Sequence, residues 1–136
     1  MSYWIGAYVG KPWAPGADGP CAFNCWGLVR DVFRTQRAVD LPIVATGAAD
    51  QVLAANVSAI KQAAAVSGFR PVHGDVSPLE FDVVVFDGAG ELHVGVVVRA
   101  NRRLNVLHSS HACGVVCEPW QHAIEGRAFQ LWRQQS

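Results

Sequence analysis

No basic block interrupts this sequence. Its 11 Lys and Arg are matched by 11 Asp and Glu, so the formal net charge is zero. A protein that follows a phosphate backbone needs concentrated positive charge, so nucleic-acid binding has no electrostatic support. Long apolar runs are missing as well. No stretch approaches the roughly 18 residues of a membrane span, so no membrane-inserted segment is expected. The start, Met1-Ser2-Tyr3-Trp4-Ile5-Gly6, has no basic segment leading into an apolar one. Synthesis and folding in a cytoplasm, without a built-in export signal, are therefore expected. Cysteine is sparse: Cys21, Cys25, Cys113 and Cys117. In a reducing compartment these are not disulfides by default. Internal repeats and low-complexity tracts are also absent.

What is present suits one ordinary domain. The length is 136 residues, with 51% hydrophobic and 16% charged. That is enough apolar material for a real core, and it excludes a disordered chain.

Two textures follow each other along the chain. A short apolar stretch, Tyr3 to Val9, reads as a helical turn or two. The Gly- and Pro-rich run from Gly10 to Pro20 reads as an ordered loop. Asn24 is a favourable N-cap, and after it Cys25, Leu28, Val29, Val32 and Phe33 recur at helical spacing. This predicts an amphipathic helix to about Thr35, with Cys25 in its first turn on the inward face. A second helix is expected from Ala49 to Val66, ended by Ser67-Gly68. From Phe69 the pattern turns to β: Phe69 to Val72, Asp82 to Phe86, Leu92 to Arg99, Arg103 to Ser109, Gly114 to Glu118, and Ala128 to Arg133. Helices first and an antiparallel meander after them make an α+β layout.

Two histidines break otherwise apolar strands. By the period of two, His93, Gly95 and Val97 share one face, as do Leu104, Val106 and His108. A tight turn at Ala100-Asn101 would set His93 directly opposite His108, with Cβ atoms roughly 4.5–5.5 Å apart. A cysteine at a helix N-terminus near an imidazole favours the thiolate. The first-turn backbone N–H of Cys25 could stabilise an oxyanion. Nucleophile, base and orienting group are the three roles that acyl transfer needs. Cys25, His93 and His108 can fill them, with His111, past the strand end, as the second choice for the third group. Taken singly, a cysteine is more often a small buried hydrophobe. The pattern carries weight because the three occur together.

The run Asn24-Cys25-Trp26-Gly27-Leu28-Val29 resembles the Asp-Cys-x-Gly-Leu-Val helix start of the NlpC-type cell-wall peptidases. Asp82-Val83-Val84-Val85-Phe86 is similar to their Gly-Asp-Leu-Val-Phe-Phe strand. His93-Val94-Gly95-Val96-Val97-Val98 resembles their His-Val-Gly-Ile-Tyr strand, and Leu107-His108-Ser109-Ser110 their Ile-His-Ala-Ser strand. The resemblance implies a papain-like NlpC-type domain over residues 1–136, with N-terminal helices packed on an antiparallel sheet of about five to six strands. It implies a cysteine peptidase that cleaves peptidoglycan stem peptides after D-glutamate, through Cys25, His93 and His108, with no cofactor. Two positions depart from the family pattern: Asn24 stands where Asp is usual, and Trp13 where a Tyr helps bind the oxyanion. Trp13, Asn24 and Trp26 are the candidates for the oxyanion site and substrate cleft.

Tyr8-Val9-Gly10-Lys11-Pro12-Trp13 and Leu41-Pro42 are similar to the subgroup carried by phage tail tips. That likeness implies a virion protein made in the host cytoplasm and acting in the host cell wall or periplasm. Its partners would be bacterial peptidoglycan and phage tail-tip proteins. Two rival readings exist. One is an inactive structural tail-tip domain. The other is a zinc site built from Cys21, Cys25, Cys113 and Cys117 with His108 and His111, although metal ribbons favour two residues between paired cysteines and here there are three.

Overall fold

A computed structural model describes residues 3–43, 65–74, 77–88 and 91–135. Its first helix, α1 (Tyr3–Gly6), is one turn long. The Gly- and Pro-rich loop that follows is ordered by backbone hydrogen bonds. Gly10 N donates to Val115 O and Phe23 N to Pro12 O, each at 3.0 Å, and Asn24 N donates to Ala17 O at 2.7 Å.

Helix α2 (Cys25–Val32) begins where the sequence predicts. Asn24 is extended and its Oδ1 accepts from Gly27 N at 2.6 Å, satisfying one of the first-turn donors. Gly27 is required by space. A Cβ there would lie 2.2 Å from Ala17 O, so any side chain would push the loop off the helix. The apolar stripe is fully buried at Leu28, Val29, Val32 and Phe33. Burial of side chains of this size stabilises by about 1.5–3 kcal/mol each. The helical path does not stop near Thr35. It widens into a π-helical turn, Phe33–Arg37, closed by Ala38 in the left-handed region. Arg30 is buried on this helix, donating from Nε to Leu41 O and from Nη1 to Asp18 Oδ2. The helix predicted over Ala49 to Val66 lies outside the described residues except at its end. There residues 65–67 are helical and Gly68, at φ 73°, follows.

All six predicted strands form: β1 (Phe69–Val72), β2 (Val83–Gly88), β3 (Glu91–Ala100), β4 (Arg103–Ser110), β5 (Gly114–Pro119) and β6 (Phe129–Gln134). A short helix, α3 (Trp120–Ile124), precedes β6. The strands make one antiparallel sheet in the order β1-β6-β2-β3-β4-β5. The architecture is α+β, as expected. The meander is confined to β2 through β5, because β6 returns to lie between β1 and β2.

One register differs from expectation. The β3–β4 ladder runs from Val96↔Leu107 to Ala100↔Arg103. The turn is therefore Asn101-Arg102, with φ 54° and 65°. Two consecutive positive φ values are what a two-residue type I′ hairpin needs. The shift is even, so every side chain keeps its face. Extended in the same register, however, His108 falls level with Gly95 rather than with His93.

The pleat sorts the core into two clusters. Val83, Val94, Val96, Val98, Leu107 and Val115 pack under α1 and α2. On the opposite face Val84, Phe86, Val97, Val106 and Leu131 pack with Ala123 of α3.

Candidate active site

Cys25 is buried, 4% exposed, among the residues of the first cluster. Its place follows from the cap: Asn24 ends the loop, and Cys25 is the first helical residue. His93 and His108 leave the sheet on the opposite face. The Phe86 ring lies 5.9 Å from that of His93 and 5.3 Å from that of His108. The two imidazole centroids are 6.4 Å apart. The structure thus brings the histidines together on one face, diagonally rather than directly opposed. Gly95 makes this possible, because a Cβ there would stand 3.0 Å from His108 Cβ and 2.8 Å from Val106 Cγ1.

Helix α2 packs on the face of β3 that carries Val94, Val96 and Val98, and the approach to its first residue, Cys25, is held to the strand end that carries the imidazoles. The β3–β4 ladder ends at Val96↔Leu107, so His93 to Gly95 and His108 to Ser110 lie beyond it. At this end the buried Ser109 Oγ donates to Phe23 O at 2.7 Å. That bond ties the approach to α2, two residues before Cys25, to the residue beside His108.

His108 is 6% exposed. Its Nε2 lies 3.3 Å from Glu118 Oε2, and its Nδ1 is buried without a hydrogen-bond partner. Burial pushes its pKa below the ordinary value; the Glu118 carboxylate opposes this, while His93 and Arg127 add to it. A cavity of about 200 Å³ opens here, lined by His93, His108, Ser110, Cys113, Glu118 and Arg127, among others. Arg127 holds its guanidinium 5.5 Å from the Phe86 ring centre.

The other candidates sort themselves by contact. His111 is exposed in the turn after β4 and packs on Trp13, ring centres 4.4 Å apart. His108, not His111, is therefore the histidine next to His93. Trp26, a candidate either for the core or for the cleft, packs in the core and spends its indole N–H on Pro42 O at 2.9 Å. Asn24 is engaged as the helix cap, which commits its side-chain oxygen to Gly27 N. Cys21 and Cys113 are exposed while Cys117 is half-buried, its thiol pushed up by burial and by Glu118. Among the described residues no three His, Cys, Asp or Glu side chains gather as a metal site would require.

Sequence reasoning missed Glu118, Ser109 and Arg127 as neighbours of the histidines. Ser109 stood in a recognised motif with no role attached. Glu118 follows only from the β4–β5 register, which places it opposite Val106 and diagonal to His108.

A helix-start thiol beside a strand end that carries imidazole, on an antiparallel sheet, defines a papain-like class of α+β domain. The family profile of the NlpC/P60 family matches residues 10–133, and the chain belongs to that family. It is also similar to the crystal structure of the NlpC/p60 domain of peptidoglycan hydrolase SagA. The TM-score is 0.56 at 17% identity, covering 93% of this chain and 91% of that one. At that identity the likeness establishes the fold. No curated protein matches the sequence.

Proposed function

We propose that this chain is a single-domain cysteine peptidase of the bacterial cell wall, cleaving an amide bond in peptidoglycan stem peptides. The observation that carries the reading is the Ser109 Oγ–Phe23 O bond, which anchors the start of α2 to the strand end bearing His108. Membership of the NlpC/P60 family, together with the likeness to the NlpC/p60 domain of a peptidoglycan hydrolase, supports the choice of substrate.

The Cys25 thiol gives its proton to His93, and Sγ attacks the substrate carbonyl carbon. The oxyanion is met by first-turn backbone N–H groups of α2. The C–N bond breaks as His93 returns the proton to the leaving amine, leaving a thioester on Cys25. Water, deprotonated by His93, then adds to the thioester and releases the acid and the thiol. His108 orients His93. The scissile bond is the one after D-glutamate, and no cofactor takes part.

The likeness of Tyr8 to Trp13 to phage tail-tip proteins supports a more specific setting. The domain is a tail-tip component of the virion, made in the host cytoplasm and opening the wall or periplasmic layer during infection. Digestion of purified peptidoglycan by the wild type and by Cys25→Ala tests the enzyme. The variant should lose at least about a thousand-fold in rate, and equal yields from both would sink the assignment. Phage carrying Cys25→Ala should assemble but inject poorly through an intact wall.

A second reading is an inactive structural tail-tip domain. Failed assembly of Cys25→Ala particles, with the isolated domain folded, would support it.

A further inference from the structure

The histidine pair has a carboxylate behind it. On the β4–β5 ladder Val106 pairs with Glu118 and His108 with Val116. Glu118 is thus the diagonal neighbour of His108 on the same face, within reach of a long side chain. Its Oε2 lies 3.3 Å from His108 Nε2, with side-chain exposures of 31% for Glu118 and 7% for His108. The other ring nitrogen, Nδ1, is fully enclosed and makes no hydrogen bond.

These facts constrain the proton. An ionised carboxylate only accepts, so Nε2 must be the donor toward Glu118. If Nδ1 also carried a proton, a buried donor would be left unsatisfied, which is costly. Burial, His93 and Arg127 all act against the doubly protonated ring, and only Glu118 acts for it. The neutral ring with its proton on Nε2 satisfies that donor, avoids a buried unpaired N–H, and leaves on Nδ1 a lone pair still open to a donor.

We propose that Glu118 is a positioning residue: it fixes His108 as the Nε2–H tautomer, so that Nδ1 accepts the N–H of His93 while the second nitrogen of His93 acts as base. The role rests on the peptidase reading of Cys25 and His93. The imidazole centroids are 6.4 Å apart without substrate, and catalytic contacts of this kind tighten when substrate binds. Glu118 touches neither the thiol nor the scissile bond and acts through two rings. A surface ion pair between the same groups would leave the tautomer and the turnover indifferent to the charge.

Two measurements on the full chain separate the possibilities. Nitrogen-15 imidazole spectra at pH 7.5 should show His108 with a protonated Nε2 and a bare Nδ1. In Glu118→Gln, whose amide can also donate, the single tautomer should give way to a mixture; in Glu118→Asp it should persist. With a stem-peptide fragment as substrate, Glu118→Gln should lower kcat by about tenfold or more at unchanged KM, and Glu118→Asp should recover part of the loss. A wild-type His108 that is charged, or protonated on Nδ1, overturns the proposal even if Glu118→Gln does not fold. So does an unchanged kcat in a folded Glu118→Gln. If the spectra behave as expected while the wild type cleaves nothing, the peptidase reading fails and the control of His108 by Glu118 stands.

Discussion

His108 shows how much of this site is set by burial. A histidine whose folded pKa lies below its unfolded value favours folding only while it is neutral. The sign follows directly: between the two pKa values the unfolded chain binds the proton and the native chain does not, so stability rises with pH. The contribution is complete above about pH 6.5 and is lost as pH falls through the lower folded value. Urea midpoints should therefore drop between pH 7.5 and pH 5, and the drop should be smaller in His108→Asn. An identical pH dependence in both proteins would contradict the assignment. Much of this residue-scale picture was legible in the sequence. Asn24 as a cap, Cys25 at a helix start and two histidines on one face of the sheet all follow from spacing. The partner of His108 was not legible, because nothing in a single strand says which residue of the next lies diagonal to it.

At the scale of elements, the strands were readable because Val- and Phe-rich runs alternate with turn residues. The β3–β4 turn was not. Its second residue is Arg102 at φ 65°, a conformation in which glycine is the usual signal and a long L side chain is strained. Ala100-Asn101 looked like the better turn, and the register moved with it. Arg102→Gly would give the Asn-Gly pair that type I′ turns favour. It should stabilise the domain by about 1 kcal/mol, read as a higher urea midpoint at constant slope. No gain would mean that the Arg102 side chain compensates its own strain. The π-helical turn after α2 was also hidden, since the apolar stripe ends at Phe33, where that turn begins, and the Arg34-Thr35-Gln36-Arg37 that follows carries no apolar period.

For the molecule as a whole, closure depends on β6. Arg133 donates from Nε and Nη2 to the two carboxylate oxygens of Asp82, at 2.8 and 2.7 Å. Asp82 is almost fully buried, and Leu79 N also donates to it. The sequence marked Asp82 as part of a strand motif without naming its partner, because the two are 51 residues apart. Removing one member of a buried pair leaves the other charge uncompensated, at a cost of about 3–5 kcal/mol. Arg133→Ala should lower the urea midpoint accordingly, whereas a change below about 1 kcal/mol would class the pair with ordinary surface bridges.

The sheet order carries one more consequence. Because β6 lies between β1 and β2, a ribosome delivers the two flanking strands before the strand that joins them. At roughly 5–20 residues per second, β2 spends a few seconds outside the exit tunnel with an open edge. An open apolar edge invites pairing with another nascent chain. More frequent initiation should thus favour intermolecular strand exchange at β2, and fewer initiations at unchanged elongation speed should shift the product toward chains whose own β6 fills that edge.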